Sequence, residues 1–299
     1  MNADQMKILC VTGAGQMGSQ IAMLGALAGL ETRLHDVSEE QLEKALATNR
    51  KHLRRRVDKG KMTAEDLEAA FGRLQATSDL ETAGADADFA IEAVTERLDV
   101  KRDVFARLDA ICPSHAILTT NSSYLMSSEI ADATGRPDRV CNMHFFFPPL
   151  VMRLVEVVRG EQTSEETVEV TAALARRMGR QPVLLHKELP GFLVNRILRA
   201  IVNEAYFLLD NGVASFEDID AACRLGLNHP LGPFQLSDFS GLDIGYNARQ
   251  EIFQRTGRPE DAPPRALALR VERGDLGRKT GRGFYDYSTD PPSPTPDDV

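Results

Sequence analysis

Short apolar segments rich in β-branched residues alternate with longer segments of helical periodicity through the first two-thirds of the chain. This alternation is typical of a parallel β-sheet whose strands are joined by helices. One of the predicted helices spans Glu165–Met178. The apolar segments predict eight strands, at Lys7–Thr12, Glu31–Asp36, Arg73–Thr77, Asp88–Val94, Ala116–Thr120, Val140–Phe146, Arg153–Val158 and Gln181–Leu185.

The pattern changes after the last of these strands, where Lys187–Gly191 ends in Pro-Gly and interrupts both periodicities. Helical spacing then dominates, over Phe192–Asp210, Phe216–Leu225 and Ile244–Arg255, with no convincing strand. The fold class is therefore α/β, with a Rossmann-type domain over residues 1–188 followed by an all-α domain over 189–288. Proline-rich residues 289–299 are predicted to be a disordered tail.

Composition narrows the class of protein. A chain of 299 residues with 42% hydrophobic and 26% charged residues is a globular protein of about two domains. Its net charge of −9 argues against general affinity for nucleic acids or anionic membranes. No apolar segment is long enough to span a bilayer, and no secretory signal is evident, so the cytoplasm is the expected location. The four cysteines lie far apart, which predicts neither a metal site nor disulfides.

A glycine motif, Gly13-Ala14-Gly15-Gln16-Met17-Gly18, lies between the first predicted strand and a helical pattern. In this position the glycines permit a tight turn, close approach of a pyrophosphate to the backbone, and packing of the helix on the strand. Asp36 follows 18 residues later, where a carboxylate accepts hydrogen bonds from a ribose and repels a 2′-phosphate. The motif predicts a dinucleotide site and favours NAD over NADP, but alone it leaves nicotinamide and flavin cofactors open.

A basic segment interrupts the acidic chain. Residues 50–61 contain seven Lys or Arg residues and one Asp, a local net charge of +6. Such a cluster could attract a phosphate-bearing ligand. The alternative is a solvated helix face that pairs with nearby glutamates, and composition alone favours this alternative.

The candidate catalytic residues are polar side chains in apolar surroundings. His144 lies within an apolar run, and Glu156 lies in an apolar strand 12 residues later. The turn at Pro148-Pro149 could bring the two strands together, so that Glu156 binds one imidazole nitrogen and the other acts as a general base. The alternative is a core histidine bonded to a backbone carbonyl. Asn195, near a predicted helix start, could likewise have a catalytic or a purely structural role.

The chain resembles the L-3-hydroxyacyl-CoA dehydrogenases over nearly its whole length. The motifs that carry the resemblance are Val11–Ser19, Ile91–Glu96, Thr120–Ser123, His144–Phe146, Val151–Val158, Pro190–Arg196, Asn228–Pro233 and Gly277–Tyr285.

The resemblance implies a function and a set of site residues. The expected reaction is reversible NAD-dependent oxidation of an L-3-hydroxyacyl-CoA, such as 3-hydroxybutyryl-CoA, by a homodimer formed through the C-terminal domain. His144 is similar to the family's base and Glu156 to the acid that orients it. Ser123 and Asn195 are implied to hydrogen-bond the reacting oxygen of the substrate. The residues implied to bind the cofactor are Asn121, Ser123, Glu96 and Lys101. Lys59 and Lys61, in a helical pair over about 38–72, are implied to bind coenzyme A.

Two departures from the family pattern leave the acyl group open. Phe147 stands where the family usually has asparagine, and Tyr124 where it usually has serine. The alternatives are therefore an unusual or aromatic acyl group, a carrier-protein thioester, or a sugar acid such as gulonate. A β-hydroxyacid dehydrogenase with a catalytic lysine and a non-catalytic NAD-binding protein are further alternatives.

Overall fold

The computed structural model describes residues 5–296, which divide between Leu193 and Val194 into two compact units. The division lies five residues beyond the predicted end of the first domain at residue 188. The reason is that Phe192 is buried in the first unit, and that the Leu193 amide donates a hydrogen bond to Glu156 there.

The first unit is built on one eight-stranded sheet in the order β3-β2-β1-β4-β5-β6-β7-β8. All neighbouring strands are parallel except β6 and β7, which are antiparallel. The first six strands in this order form the arrangement expected of a dinucleotide-binding fold. The strands are β1 (Ile8–Thr12), β2 (Glu31–His35), β3 (Leu74–Thr77), β4 (Phe89–Glu92), β5 (Ile117–Thr120), β6 (Val140–Phe145), β7 (Leu154–Val158) and β8 (Gln181–Leu185).

Helices cover both faces of this sheet, and each face has its own apolar core. The helices of the unit are α1 (Gln16–Leu27), α2 (Glu39–Asp58), α3 (Ala64–Arg73), α4 (Leu80–Gly84), α5 (Leu98–Ile111), α6 (Ser127–Ala131) and α7 (Glu165–Arg177). On one face, α1 and α7 pack against alternate strand residues that include Val155 and Val157. On the other face, α4, α5 and α6 contribute buried side chains that include Phe105 and Ile130.

Helices α2 and α3 form the predicted helical pair between β2 and β3. Ser38 caps α2 by accepting a hydrogen bond from the Gln41 amide. Thr63 and Asp66 form a reciprocal capping box at the start of α3. These caps fix the point at which each helix begins, and they leave the basic segment on the last turns of α2 and the turn that follows.

The second unit is helical and contains α8 (Val194–Asp210), α9 (Phe216–Gly226), α10 (Pro233–Ser240), α11 (Leu242–Thr256) and α12 (Arg265–Arg273). Its core is aromatic, and the Phe234 and Phe284 rings pack with centroids 4.6 Å apart. Two buried carboxylates tie the C-terminal segment to these helices. Asp238 accepts hydrogen bonds from the Phe284 and Tyr285 amides, and Asp220 accepts one from the Tyr285 hydroxyl.

The sequence predicted a disordered tail over residues 289–299, and for residues 289–296 this prediction is wrong. Strand β9 (Tyr285–Asp286) pairs with β10 (Ser293–Pro294) in a small antiparallel sheet, so the second unit is helical with one two-residue strand pair. Thr295 is buried, its hydroxyl donates a hydrogen bond to the Gly283 carbonyl, and its amide donates one to the Phe284 carbonyl. These bonds hold a proline-rich segment that composition alone would leave unstructured. The last three residues of the predicted tail lie outside the described residues.

The fold class predicted from the sequence, a Rossmann-type domain followed by a helical domain, is confirmed. None of the helices described over residues 5–296 combines the length and the apolar character needed to cross a membrane.

Candidate active site

The glycine motif forms the turn between β1 and α1. Gly13 has a φ of +101°, and a Cβ atom there would lie 2.5 Å from the Ala93 carbonyl oxygen. A Cβ at Gly18 would lie 1.9 Å from the Gly13 carbonyl oxygen, whereas one at Gly15 would meet nothing within 4 Å. Gly13 and Gly18 are therefore required for packing, and Gly15 leaves open space above the helix N-terminus. No side chain caps α1, so its first amides are available to an anion.

Asp36 lies beside this turn, directly after β2. Its carboxylate accepts hydrogen bonds from the Ala14 amide at 2.7 Å and from the Ser38 amide at 3.0 Å. The Gln41 side chain donates to the Ala14 carbonyl and closes the turn. This geometry fixes the carboxylate at the position where the motif predicts the ribose of a dinucleotide.

A buried ionic network lies at the end of β4. The fully buried Glu92 carboxylate accepts hydrogen bonds from the Lys101 ammonium, the Thr120 hydroxyl and the Val94 amide, each at 2.7 Å. Burial raises the pKa of Glu92, and these three partners oppose the increase. Lys101 Nζ also lies 3.2 Å from Glu96 Oε2. The structure thus brings together Lys101 and Glu96, the two residues that the resemblance places beside the cofactor.

Glu96 connects this network to the polar segment after β5. Partial burial opposes ionisation of Glu96, but the Ser122 hydroxyl and the Lys101 charge hold its pKa below the ordinary value. Asn121 Oδ1 accepts a hydrogen bond from the Phe145 amide and so links the end of β5 to β6. The Ser123 hydroxyl has no hydrogen-bond partner among residues 5–296, so it is available to a ligand.

His144 and Glu156 lie opposite each other on the antiparallel strands β6 and β7. Imidazole Nδ1 is 2.8 Å from Glu156 Oε2. The histidine is 6% exposed and the glutamate is fully buried. Because the carboxylate accepts the proton on Nδ1, the neutral ring has an unprotonated Nε2. No described residue forms a hydrogen bond with that nitrogen, so it can accept a proton from a substrate.

The segment after β8 completes the surroundings of the dyad. Phe192 has a φ of +47° and packs its ring against His144 with centroids 5.6 Å apart. Phe146 packs against the same imidazole at 4.6 Å. The Leu193 amide donates to the second oxygen of Glu156 at 3.1 Å. The two rings shield the dyad from water, and the amide fixes the carboxylate.

Sequence reasoning did not select Glu92, Thr120 or Phe192 as site residues. Glu92 carried the same signal as Glu156, an isolated acid in an otherwise apolar strand. Thr120 and Phe192 gave no such signal, because their roles depend on the β4–β5 register and on a left-handed turn.

The remaining residues that the sequence analysis singled out lie on four different segments of the chain. Asn195 lies in the first turn of α8 in the second unit. Lys59 and Lys61 are exposed in the turn between α2 and α3. Phe147 and Tyr124, the two departures from the family pattern, are 58% and 53% exposed. Within the described part of the chain, no group of three His, Cys, Asp or Glu side chains could hold a metal ion.

Comparison with known families and proteins gives consistent results. The model for the NAD-binding domain of 3-hydroxyacyl-CoA dehydrogenase matches residues 8–189, and the model for the C-terminal domain of the same family matches residues 191–287. A probable 3-hydroxybutyryl-CoA dehydrogenase of Bacillus subtilis (strain 168) is 44% identical over 95% of this chain and 98% of its own length. The 3-hydroxybutyryl-CoA dehydrogenase of Bradyrhizobium diazoefficiens is 40% identical over 98% of this chain and 99% of its own length.

A solved structure shows the same fold. The crystal structure of (S)-3-hydroxybutyryl-CoA dehydrogenase from Ralstonia eutropha is similar with a TM-score of 0.86 and 38% identity. The similarity covers 95% of this chain and all of that one. Together with the match of both family models, this similarity shows that the chain belongs to the 3-hydroxyacyl-CoA dehydrogenase family, as its sequence motifs predicted.

Proposed function

We propose that this NAD-dependent dehydrogenase reversibly oxidises an L-3-hydroxyacyl-CoA of the 3-hydroxybutyryl-CoA type, with His144 as the general base. The observation that carries the proposal is the buried His144–Glu156 pair, in which Nδ1 is engaged and Nε2 is free to accept a proton. The relatives named as 3-hydroxybutyryl-CoA dehydrogenases support the substrate class.

His144 Nε2 takes the proton of the substrate hydroxyl during oxidation and returns it during reduction. The Glu156 carboxylate keeps the ring in the reactive tautomer and stabilises the imidazolium that forms. Ser123 and Asn195 hydrogen-bond the reacting oxygen and hold the carbon that bears it in position. Bound NAD would supply the hydride acceptor for that carbon.

The residues of the glycine turn fit a dinucleotide. Open space at Gly15 and the uncapped N-terminus of α1 match the needs of a pyrophosphate. The Asp36 carboxylate suits an unphosphorylated ribose, which supports NAD over NADP. Asn121, Glu96 and Lys101 would hold the nicotinamide end.

The two glycines Gly15 and Gly18 are expected to respond differently to alanine. In Gly18→Ala the new methyl group overlaps the Gly13 carbonyl, so we expect a loss of about 1–3 kcal/mol in unfolding free energy. In Gly15→Ala that free energy changes by less than about 0.5 kcal/mol, but NADH affinity falls at least about tenfold, because the methyl group occupies the pyrophosphate space. Thermal denaturation and NADH fluorescence titration measure the two effects. Equal NADH affinity of Gly15→Ala and the wild type would contradict the cofactor site.

Substrate turnover tests the activity itself. Acetoacetyl-CoA is expected to be reduced with NADH, and with NADPH at least about tenfold less efficiently, because Asp36 repels a 2′-phosphate. A spectrophotometric panel of 3-oxoacyl-CoA esters, aromatic acyl-CoA, a carrier-protein thioester and gulonate measures this preference. Turnover of gulonate without turnover of any thioester would exclude the proposed substrate class. The exposed Phe147 and Tyr124 side chains are the reason for including aromatic acyl groups.

Three further properties belong to this proposal. Lys59 and Lys61 contact coenzyme A, supported by their exposure at the tip of the helical pair. The enzyme is a homodimer formed through its helical unit, supported by the exposed apolar side chains of Ile197, Phe207 and Ile244. The cytoplasmic location stays a prediction.

A further inference from the structure

A cavity of about 520 Å³ opens on the surface of the first unit, away from the dyad. It lies between the C-terminal end of α1, the last turn of α2, the loop that precedes β7 and the turn between α7 and β8. Part of its wall is apolar and includes Leu24 and Met178. The charged lining consists of four arginines, Arg56, Arg153, Arg177 and Arg180, and includes no acidic residue.

The cavity lies on the opposite face of the sheet from His144 and Glu156. Arg153 extends β7 by one position, since its carbonyl accepts a hydrogen bond from the Gln181 amide. Side chains alternate along a strand, so Arg153 shares a face with Val155, and Glu156 faces the other way. Val155, Leu24 and Met178 belong to one apolar core, which confirms the side on which the cavity lies.

Three of the arginines have no counter-charge. Arg56, Arg153 and Arg180 form no ion pair with any residue in the described range 5–296. Arg180 Nε is buried without a hydrogen-bond partner, and its NH1 group reaches only the Gly179 carbonyl at 3.4 Å. Arg177 differs, because it donates to the Met6 carbonyl at 2.7 Å.

This arrangement is electrostatically unfavourable without an anion. Burial lowers the pKa of Arg180, and the charges of Arg56 and Arg153 lower it further. Like charges gathered around one cavity repel each other, and the planar guanidinium groups match the geometry of phosphate oxygens. A bound phosphate would supply acceptors for the buried Nε and offset the repulsion.

We propose that the cavity lined by Arg56, Arg153 and Arg180 binds a phosphate group. Two sources have this chemistry. One is the nucleotide end of the acyl-CoA, supported by Met62, which lines the cavity and follows Lys61 directly; this source rests on the proposed function. The other is a free phosphate-bearing ligand that binds independently of the substrate.

The first experiment measures binding without turnover. Inorganic pyrophosphate is titrated calorimetrically into the wild type, Arg180→Gln and Arg56→Gln, with saturating NADH to fill the dinucleotide site. Each cavity variant is expected to bind pyrophosphate about tenfold or more weakly, because a charge-assisted hydrogen bond is lost. Arg176→Gln, an exposed arginine outside the cavity, makes the same charge change and should bind within about twofold of the wild type. Two variants on separate elements guard against a folding defect in either one.

The second experiment distinguishes the sources. KM is measured for acetoacetyl-CoA and for acetoacetyl-N-acetylcysteamine, a thioester that lacks the nucleotide. If the phosphate belongs to the substrate, Arg180→Gln raises KM about tenfold for the CoA ester alone. If it belongs to a free ligand, both KM values stay unchanged while pyrophosphate binding is weakened.

The proposal is overturned if both cavity variants match the wild type in pyrophosphate binding and in KM for the CoA ester. It is also overturned if Arg176→Gln weakens binding as much as Arg180→Gln does, because a general charge effect then explains the data. Failure of the proposed function has a different signature, namely no turnover of any thioester with pyrophosphate binding intact.

Discussion

Replacing His144 by glutamine is expected to lower kcat for 3-hydroxybutyryl-CoA oxidation by about 10²- to 10⁴-fold, the usual contribution of a positioned general base. An amide at this position can still donate to the Glu156 carboxylate, which is fully buried and 2.8 Å from the ring nitrogen. It cannot accept the substrate proton. Because Ser123, Asn195 and the cofactor site are unchanged, KM and NADH affinity should change by less than about threefold.

The choice of glutamine over alanine separates chemistry from stability. Alanine would leave a cavity between Phe146 and Phe192 and a buried carboxylate without its main partner, so the variant would also lose stability. His186→Gln is the matched control, since His186 is an exposed histidine of the same unit. Steady-state kinetics and thermal melting are measured on both variants. A His144→Gln enzyme with wild-type kcat would exclude His144 as the base.

The local sequence pattern was sufficient to predict the eight strands of the first unit, but not the short β9–β10 pair of the second. Strand β7 was predicted at Arg153–Val158 and runs over Leu154–Val158, and the other seven predictions also overlap the observed strands. Buried parallel strands are nearly continuous apolar runs, so their limits are visible where polar residues begin. The turn at Pro148-Pro149 made an antiparallel partner for β6 predictable, and with it the opposition of His144 and Glu156.

What the sequence did not reveal depends on residues that are distant in the chain. The left-handed Phe192 and the Leu193 amide reach the dyad only because the chain turns back after β8. The arginines of the cavity come from separate segments of the chain, and only Arg56 belongs to the basic run that composition made visible. Arg50 in that run instead forms a surface ion pair with Glu68, as expected of a solvated helix face.

Replacing Lys101 by methionine is expected to lower the free energy of unfolding of the first unit by about 3–5 kcal/mol, the cost of leaving a buried charge without its partner. Lys101 is 1% exposed, and its ammonium lies 2.7 Å from Glu92 Oε1. Methionine retains much of the side-chain volume, so the loss measures charge rather than packing. Urea denaturation followed by circular dichroism gives the free energy. A change below about 1 kcal/mol would show that the network tolerates an isolated Glu92 carboxylate.

The double variant Glu92→Gln/Lys101→Met is expected to recover much of this loss, because a neutral amide needs no cation. The glutamine side chain introduced by Glu92→Gln keeps an acceptor for the Val94 amide, and its amide group can donate to the Thr120 hydroxyl, so both contacts that Glu92 makes besides Lys101 are retained.

The pH dependence of stability provides a second criterion. Burial already raises the pKa of Glu92 in the wild type, and losing the lysine raises it further, so folding of Lys101→Met favours the protonated acid. A carboxyl group whose pKa is higher in the folded state loses stability as pH rises above its unfolded value. The deficit of Lys101→Met relative to the wild type should therefore be larger at about pH 8 than at about pH 5, and the double variant should show no such trend.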